Sequence, residues 1–260
     1  MKERIYHLGL SDSDGAGYAI LPGDPGRVEK IARYLEQPRK IGGNREFTTW
    51  AGRLEGQRVL VTSTGIGGPS AAIAMEELAV LGVRHFLRVG TCGGMQLDVQ
   101  GGDLVIPTGA IRMEGTSREY LPLEFPAVAD FPMVKALAEA ADGIGLRFHT
   151  GVVQSKDSFY GQHEPERMPA GPELLYRWQA FRKAGALASE MECAALFTVA
   201  ASLHVHAAAV LACVWNQERA KAGLANPDCL ETGHAVRTAV EALRRIIRGA
   251  APEKRDPPAG

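Results

Sequence analysis

The sequence predicts an α/β protein with one three-layer domain, in which helices cover both faces of a central mixed, largely parallel twisted sheet. Apolar runs of strand length alternate with amphipathic runs of helix length along the chain, and this alternation is typical of parallel strands joined by helices. No internal repeat, linker or change of composition divides the chain. We therefore expect one domain over residues 1–249 and a disordered tail at 250–260, which is rich in proline and charge.

The first half of the chain alternates strands and helices around turns that contain glycine. Pro25 follows the first apolar run and favours a helix start, because proline is preferred in the first helical turn. Gly56 lies between two runs of strand-forming residues, which predicts a hairpin. In order, the predicted elements are strand Tyr18–Pro22, helix 28–35, strands Phe47–Leu54 and Arg58–Thr64, helix 71–81 and strand 85–89.

The second half continues the alternation. A run dominated by Ala, Val and Leu predicts a central buried strand at His206–Trp215. Val236, Val240 and Leu243 recur on one helical face and predict a long closing helix. The other predicted elements are strands Asp103–Pro107, Thr150–Gln154 and Ala186–Ala188, and helices 133–144, 173–183 and 192–203; the closing helix spans 233–248.

Composition and charge exclude several classes of function. The formal net charge is −1, so the chain has no basic excess with which to bind DNA or RNA. The four cysteines form no CxxC pair, which argues against a disulfide framework or a structural zinc site and favours a reducing compartment. No apolar stretch approaches 18 residues, so we expect no membrane span. We predict a cytoplasmic protein that binds small molecules.

Arg88 lies inside an apolar strand, Phe86–Val89, that leads directly into the glycine-rich segment 90–94. We expect this segment to be a loop whose backbone N–H groups face a ligand at the carboxyl end of the sheet. A cation in an apolar run is costly unless an anion neutralises it. Two interpretations are equally open on this stretch: Arg88 and Thr91 bind an oxyanion, or Arg88 pairs with a buried carboxylate for structural reasons.

Further glycine turns lie near arginines. Arg27 follows the Gly23–Gly26 turn, and Arg45 precedes a predicted strand. A single arginine is most often a solvated surface residue, but several at strand ends favour one shared phosphate. No Walker P-loop is present, and the Gly65–Gly68 turn carries too little of the dinucleotide fingerprint to indicate an oxidoreductase.

Two carboxylates precede an apolar helix. Glu190 and Glu192 flank Met191. Such carboxylates can cap the helix N-terminus, or one of them can accept hydrogen bonds from both hydroxyls of a vicinal diol while the methionine packs on the sugar. The sequence supports the helix cap and the diol-binding role equally.

The segment Ser155–Gln162 carries groups suited to a base. Phe159 could stack on a base ring, and the Gln162 amide offers both a donor and an acceptor to its edge. An ordinary packed loop is the slightly favoured alternative when this segment is taken alone.

Taken together, the motifs resemble those of bacterial uridine phosphorylases of the nucleoside phosphorylase-I family. The resemblance covers about residues 5–248 and combines several motifs that are weak singly. They are His7-Leu-Gly-Leu, Leu21-Pro-Gly-Asp-Pro-Gly-Arg27, Arg45-Glu-Phe-Thr-Thr-Trp50, Ser63-Thr-Gly-Ile-Gly-Gly-Pro-Ser70, Leu87-Arg-Val-Gly-Thr91, Leu123-Glu-Phe-Pro-Ala-Val-Ala-Asp130 and Glu190-Met-Glu192. The resemblance implies that the chain transfers ribose from uridine to inorganic phosphate, its co-substrate, with no required cofactor.

The resemblance also implies a role for each matching residue. Arg88, Glu192 and Gln162 would take part in catalysis. Phosphate would be bound by Gly23, Arg27, Arg45, Arg88 and Thr91, and ribose by His7, Glu190, Met191 and Glu192. The base would be contacted by Thr91, Cys92, Gly93, Phe159, Gln162, Arg167 and Gln217.

The assembly and a cation site are implied in the same way. His7 and Arg45 would act from a neighbouring subunit, so the minimum active unit would be a dimer, and the family's usual assembly is a hexamer made of three such dimers. A potassium ion at the subunit interface would be held by Glu46, Ile66 and Ser70.

The chain departs from the family pattern in the segments that would read the base. Purine-specific relatives use an Asp as general acid where this chain has Gln217, and an amide is a poor acid, so purines are disfavoured. The arginine expected two residues after Gln162 is replaced by Glu164, and Arg167 is the nearest arginine. Alternatives are a phosphorylase for thymidine, deoxyuridine or a purine nucleoside, and a nucleoside-binding protein without catalysis. A nucleosidase would need no anion cluster.

Overall fold

The computed structural model describes residues 5–250 of the 260-residue chain. Ten strands and nine α-helices alternate along it, with short 3₁₀ turns between some of them. The strands are β1 Tyr18–Pro22, β2 Glu36–Asn44, β3 Phe47–Leu54, β4 Gln57–Thr62, β5 His85–Gly94, β6 Leu104–Met113, β7 Ala127–Val128, β8 Phe148–Lys156, β9 Ala188–Glu190 and β10 His206–Asn216. The helices are α1 Val28–Ala32, α2 Gly68–Val80, α3 Thr116–Tyr120, α4 Phe131–Gly143, α5 Phe159–His163, α6 Gly171–Lys183, α7 Cys193–Leu203, α8 Gln217–Lys221 and α9 Gly233–Ala250.

All described strands belong to one sheet, with the order β10-β6-β8-β9-β5-β1-β4-β3-β2 and β7 paired to β6. Strand β10 also pairs with β5, so β5, β10, β6, β8 and β9 close into a ring. Strands β4, β1, β5 and β10 are adjacent in this order and run parallel to one another. The carboxyl ends of these parallel strands meet at one edge of the sheet, where open α/β folds bind their ligands.

The predicted α/β class is confirmed, and the predicted elements recur with shifted ends. Five pairings among the described strands are parallel and five are antiparallel, and the two longest ladders, β10–β5 and β6–β8, are parallel. The sheet is therefore mixed and largely parallel, as predicted. Strand β2 escaped the sequence analysis because its residues are mostly polar and exposed, as is usual for an edge strand.

The segment 90–94 is a correction. We expected a loop after Val89, but β5 continues to Gly94 because β10 pairs with it as far as Asn216 and β9 pairs with Gly93 and Gly94. Most of the backbone N–H and C=O groups of this segment are therefore hydrogen-bonded to neighbouring strands. The segment can contact a ligand through its side chains rather than through a nest of free N–H groups.

The core fills the space between the sheet and two groups of helices, since α4 packs on α9 and α2 packs on α7. Helix α7 is apolar on every side and buried over most of its length, as expected for a helix enclosed by other elements. Within residues 5–250 no helix is long and apolar enough to span a bilayer. The predicted disordered tail falls almost wholly outside the described residues.

Candidate active site

A cleft of about 840 Å³ opens at the carboxyl ends of β1, β5, β8 and β10. It brings together fourteen of the residues singled out from the sequence, which are Gly23, Arg27, Glu46, Ile66, Ser70, Arg88, Thr91, Cys92, Gly93, Phe159, Gln162, Glu190, Met191 and Glu192. Its remaining wall is formed by Asp24, Pro25, Gly65, Lys156, His163, Ser189, Val214 and Trp215. Residues separated by most of the chain length therefore share one cavity.

One end of the cleft is built to hold an anion. A Cβ placed on Gly23 would lie 3.7 Å from Arg27 Nη2 and 3.8 Å from Arg88 Nη2. Both guanidinium groups thus reach the space beside a residue that has no side chain, and any larger residue would fill that space. Thr91 and the turn at Asp24 line the same end. The arrangement matches a tetrahedral oxyanion that accepts several charge-assisted hydrogen bonds.

The charges at this end favour an anion as well. Burial lowers the pKa of Arg27, and the nearby Arg88 lowers it further, because two cations close together disfavour each other. Arg88 is 4% exposed, and its Nε has no hydrogen-bond partner among the described residues. A buried donor without a partner costs free energy that a bound phosphate would recover.

Arg88 also forms a buried ion pair with Glu192. Burial acts to lower the pKa of Arg88, but the neighbouring acidic groups, Glu192 foremost, together outweigh it, and the net pKa is raised. Glu192 Oε1 accepts a second hydrogen bond, 2.7 Å long, from the N–H of Gly67. Gly67 has φ = 94°, a conformation that favours glycine. The interpretation of Arg88 as the partner of a buried carboxylate is therefore confirmed. Oxyanion binding by Arg88 stays a prediction, which its position in the cleft supports.

The structure separates the roles of the two glutamates. Glu190 Oε2 accepts hydrogen bonds from the N–H groups of Glu192 and Cys193, 2.8 and 2.9 Å long, and so caps α7. Its other oxygen accepts a hydrogen bond from Ser155. Burial raises the pKa of Glu190, and Glu192 raises it further. Glu190 is thus committed to the helix start, while Glu192 presents its carboxylate beside the anion site and is the better candidate for binding a diol.

The other end of the cleft is formed by α5 and the end of β8. The Phe159 ring is half exposed and lies 4.3 Å from the His163 ring, centroid to centroid. Gln162 Oε1 accepts a 2.6 Å hydrogen bond from Ser189 Oγ, which leaves the Gln162 amino group free to donate into the cleft. An aromatic face next to an amide donor suits a planar heterocycle.

A smaller cavity of about 190 Å³ adjoins this end and shares Lys156 and Gln162 with the cleft. Gln217, which was predicted to contact the base, lines this side chamber rather than the main cleft. Gln154, which is 3% exposed, also lines it. The side-chain oxygens of both glutamines have no hydrogen-bond partner among the described residues, so the chamber carries two unused acceptors.

Three predicted residues lie away from the cleft of their own chain. The Arg167 side chain is 62% exposed and pairs with Glu164 at 2.8 Å, so it faces solvent. His7 Nδ1 lies 2.6 Å from Glu77 Oε1. Arg45 occupies the exposed turn between β2 and β3 with φ = 53°. The His7 carbonyl accepts a 2.7 Å hydrogen bond from Asn44 Nδ2, which places His7 beside that turn.

The predicted cation residues lie on the cleft wall next to the anion end. Ser70 Oγ lies 2.9 Å from Glu46 Oε1. The pKa of Glu46 is lowered by its own backbone N–H and then by the Ser70 hydroxyl, so its carboxylate is charged. Ile66 is 79% exposed and can contribute only its backbone oxygen. Within residues 5–250 no group of three or more His, Cys, Asp and Glu residues is arranged to hold a metal.

The cleft offers no activated thiol. Cys92 faces the cleft but is 4% exposed. Its hydrogen bond with the Cys213 thiol and its burial raise its pKa well above the usual value, so it is a neutral thiol and a poor nucleophile. The arrangement therefore favours direct displacement by a bound anion over a covalent enzyme intermediate.

Lys156 and Ser189 are site residues that the sequence analysis did not identify. Lys156 is 5% exposed at the end of β8, and its Nζ donates a 2.9 Å hydrogen bond to Ser189 Oγ. The signal was the one used for Arg88, a cation at the end of a strand. It was weaker here because the preceding residues are less uniformly apolar.

Comparison with known proteins identifies relatives over nearly the whole chain. The family model described as "Phosphorylase superfamily" matches residues 18–251. The chain is 52% identical to the uridine phosphorylase of Treponema pallidum, over 93% of this chain and 94% of the relative. It is 44% identical to the uridine phosphorylase of Escherichia coli, over 95% and 99% of the two chains. A guanosine phosphorylase of Halorubrum lacusprofundi is 40% identical over 78% of this chain and 80% of that relative.

Proposed function

The chain belongs to the phosphorylase superfamily, and we propose that it is a uridine phosphorylase, a pentosyltransferase that converts uridine and phosphate reversibly to uracil and ribose 1-phosphate. The resemblance deduced from the motifs is confirmed by full-length relatives of that name. The observation that carries the proposal is the space beside Gly23, which two guanidinium groups approach and which lies next to the carboxylate of Glu192.

Phosphate binding is the first step of the reaction. A phosphate beside Gly23 accepts hydrogen bonds from Arg27, Arg88 and the Thr91 hydroxyl. It uses the free Nε–H of Arg88. Because this site adjoins Glu192, which holds the ribose hydroxyls, the phosphate lies close to the sugar carbon that it attacks. Holding both reactants in one cleft removes much of the entropic barrier of a bimolecular reaction.

Bond cleavage separates charge along the cleft. As the glycosidic bond breaks, positive charge develops on the ribose and negative charge on the departing uracil. The phosphate dianion and the Glu192 carboxylate stabilise the positive charge on the ribose. The Gln162 amino group donates a hydrogen bond to the negatively charged uracil. Preorganised groups of this kind supply most of the rate enhancement in a water-poor site. Met191 packs on the sugar and Phe159 on the base.

A second subunit completes the site. His7 and Arg45 lie together near the exposed turn between β2 and β3, outside their own cleft. Exposed apolar side chains accompany them, with Tyr6 76% and Ile66 79% exposed. We assign this surface to a dimer in which Arg45 contacts the partner's phosphate and His7 the partner's ribose 5′-hydroxyl. A hexamer made of three such dimers is the assembly that the family resemblance implies.

A potassium ion fits the same interface. The Glu46 carboxylate and the Ser70 hydroxyl, with the backbone oxygen of Ile66, are the hard oxygen ligands that alkali and alkaline-earth cations prefer. The ion would fix Glu46 next to Arg45. The four described cysteines are free, which suits the reducing cytoplasm.

The test is a substrate panel assayed with and without phosphate by following release of the free base. We expect uridine cleavage to require phosphate and to yield ribose 1-phosphate. Cleavage of uridine at the same rate without phosphate would show a hydrolase and reject the proposal. Failure to cleave any nucleoside while uridine still binds would indicate a binding protein.

Guanosine is the second candidate substrate. The side chamber presents the unpaired oxygens of Gln154 and Gln217. Guanine offers donors at N1 and its amino group, whereas uracil offers only N3–H. A guanosine phosphorylase is also among the relatives. In the same panel, phosphate-dependent cleavage of guanosine but not uridine would favour this candidate.

A further inference from the structure

Lys156 is a buried cation whose charge is not neutralised by direct contact with a carboxylate. It is 5% exposed, and its Nζ donates a hydrogen bond to the neutral Ser189 hydroxyl. Within residues 5–250 no carboxylate oxygen lies within 4.0 Å of it. A buried ammonium in this state costs free energy unless an anion joins it. Of its three N–H donors, one is used by Ser189 and two are available.

The groups around Lys156 come from four elements. Burial lowers the pKa of Lys156 to about 8, against the charges of Glu190 at the end of β9 and Glu192 at the start of α7, which favour its charged form. Cys92 of β5 also lines this part of the cleft, as a neutral thiol. From α5, His163 faces it, and the pKa of His163 is lowered by burial and by the Lys156 charge. Near pH 7 Lys156 therefore keeps its proton, and His163 is neutral.

The position of Lys156 is the wall between the cleft and the side chamber. Its partner Ser189 donates in turn to Gln162, so a chain of hydrogen bonds links the ammonium to the amide that faces the base. The arginine that the family resemblance places after Gln162 is absent, and Arg167 is exposed and paired with Glu164. Lys156 is thus the cation that the described cleft offers at this end.

We propose that the Lys156 ammonium stabilises the negative charge of the departing base. The inference rests on the proposed function. The bond between ribose C1′ and base N1 breaks, and its electron pair remains on the base, where it is shared with the carbonyl oxygens. A phosphate oxygen forms the new bond to C1′. Lys156 donates a hydrogen bond to a base carbonyl oxygen without transferring its proton, and the base anion takes a proton from water after release.

The test compares Lys156→Met with the parent enzyme on uridine and 5-fluorouridine in single-turnover reactions. Fluorine withdraws electrons and stabilises the base anion, so the leaving group depends less on the enzyme. We expect Lys156→Met to slow uridine cleavage about 100-fold, as for other lost transition-state donors. The same change should slow 5-fluorouridine cleavage only about 10-fold. The phosphate KM should stay within about twofold of the parent value, since Arg27 and Arg88 are untouched.

The ratio of the two substrates is measured on one preparation, so partial misfolding cannot produce it. Lys135→Met is the matched control, because Lys135 is exposed on α4 and pairs with Glu139; its rates should equal those of the parent enzyme. Equal losses on both substrates, a loss confined to the phosphate KM, or no loss at all would each overturn the role of Lys156. Absence of phosphate-dependent cleavage in the parent enzyme would instead reject the proposed function.

The pH profile gives an independent measurement. The cation is present below its pKa of about 8, so the parent enzyme should lose its rate of uridine cleavage as pH rises through that value, and Lys156→Met should lack this descending limb. The variant should also melt no lower than the parent at pH 7, because it removes a buried charge that burial disfavours. A structural lysine would behave in the opposite way, with a lower melting temperature and an unchanged pH limb.

Discussion

The two ends of the cleft are built differently. The proposed phosphate end lies at the carboxyl end of β1 and beside β5. Its buried cation, Arg88, is paired with Glu192. The base end is formed by the short helix α5 and the last residue of β8, and its buried cation Lys156 has only a hydroxyl partner. The charge of Arg88 is therefore balanced by Glu192 before substrate arrives, although its Nε still lacks a hydrogen-bond partner among the described residues. The charge of Lys156 has no carboxylate in direct contact among these residues, and substrate would supply its partner.

This difference matches the demands of the reaction. Phosphate carries its full charge throughout, so its site can hold a permanent ion pair that the ligand rearranges. The base is neutral until the bond breaks, and a cation reserved for it gains its partner only in the transition state. Interactions that strengthen in the transition state raise kcat, whereas uniform ones lower KM. The phosphate end should therefore control mainly KM for phosphate, and the base end mainly kcat.

Arg88→Ala is the largest test of this contrast. The change removes a group proposed to bind phosphate and leaves the buried Glu192 without its ion-pair partner. We expect kcat/KM for phosphate to fall about 10³-fold and the free energy of unfolding to fall by about 3–5 kcal/mol, as for other broken buried pairs. Phosphate saturation kinetics and chemical denaturation measure the two effects.

The matched control for Arg88 is Arg33→Ala. Arg33 is exposed near the end of α1 and pairs with Glu29, and exposed pairs of this kind contribute about 0–1 kcal/mol. Its substitution should leave both quantities nearly unchanged. If Arg88→Ala kept its affinity for phosphate, the anion site would not lie beside Gly23.

Glu192→Gln should act in the opposite direction on phosphate. The amide keeps the shape of the side chain but removes the negative charge that pairs with Arg88 and competes with phosphate for it. The KM for phosphate should therefore not rise. Hydrogen bonds to a charged group contribute about 1.5–3 kcal/mol, and we expect kcat/KM for uridine to fall by about 10–100-fold. The loss on 2′-deoxyuridine should be smaller, because that sugar lacks one hydroxyl. Equal losses on the two nucleosides would show that Glu192 does not read the diol.

The residues of the proposed phosphate end can be recognised in the sequence because their chemistry is local. Arg88 stands out in an apolar strand, and Gly23 and Arg27 follow another strand directly. The parallel register between β1 and β5, with Leu21 opposite Arg88, then places these strand ends together. What the sequence could not give is the pairing of Arg88 with Glu192, which lie 104 positions apart.

The base end was less predictable for a physical reason. Helix α5 has five residues, too few for a hydrophobic period to be recognised. Whether Lys156 is buried depends on how α5, β9 and α7 cover the end of β8, and burial turns an ordinary lysine into a functional one. The expectation that Arg167 contacts the base came from resemblance alone. The structure places this side chain in solvent, paired with Glu164, so the expectation stays a prediction that this geometry does not support.

Arg167→Ala is the smallest expected effect and the sharpest test of the base end. The Arg167 side chain pairs with Glu164 at 2.8 Å and is 62% exposed, and its guanidinium lies 5.7 Å from the centre of the Tyr160 ring. Exposed interactions of these kinds contribute about 1 kcal/mol or less. We expect KM and kcat for uridine to change less than about twofold, matching the control Arg177→Ala on α6, whose arginine pairs with Glu173. A tenfold or larger loss of kcat confined to Arg167→Ala would mean that the α5 segment rearranges to bring this arginine to the base. Lys156 would then share its task with a second cation, and the two ends of the cleft would be more alike than the structure shows.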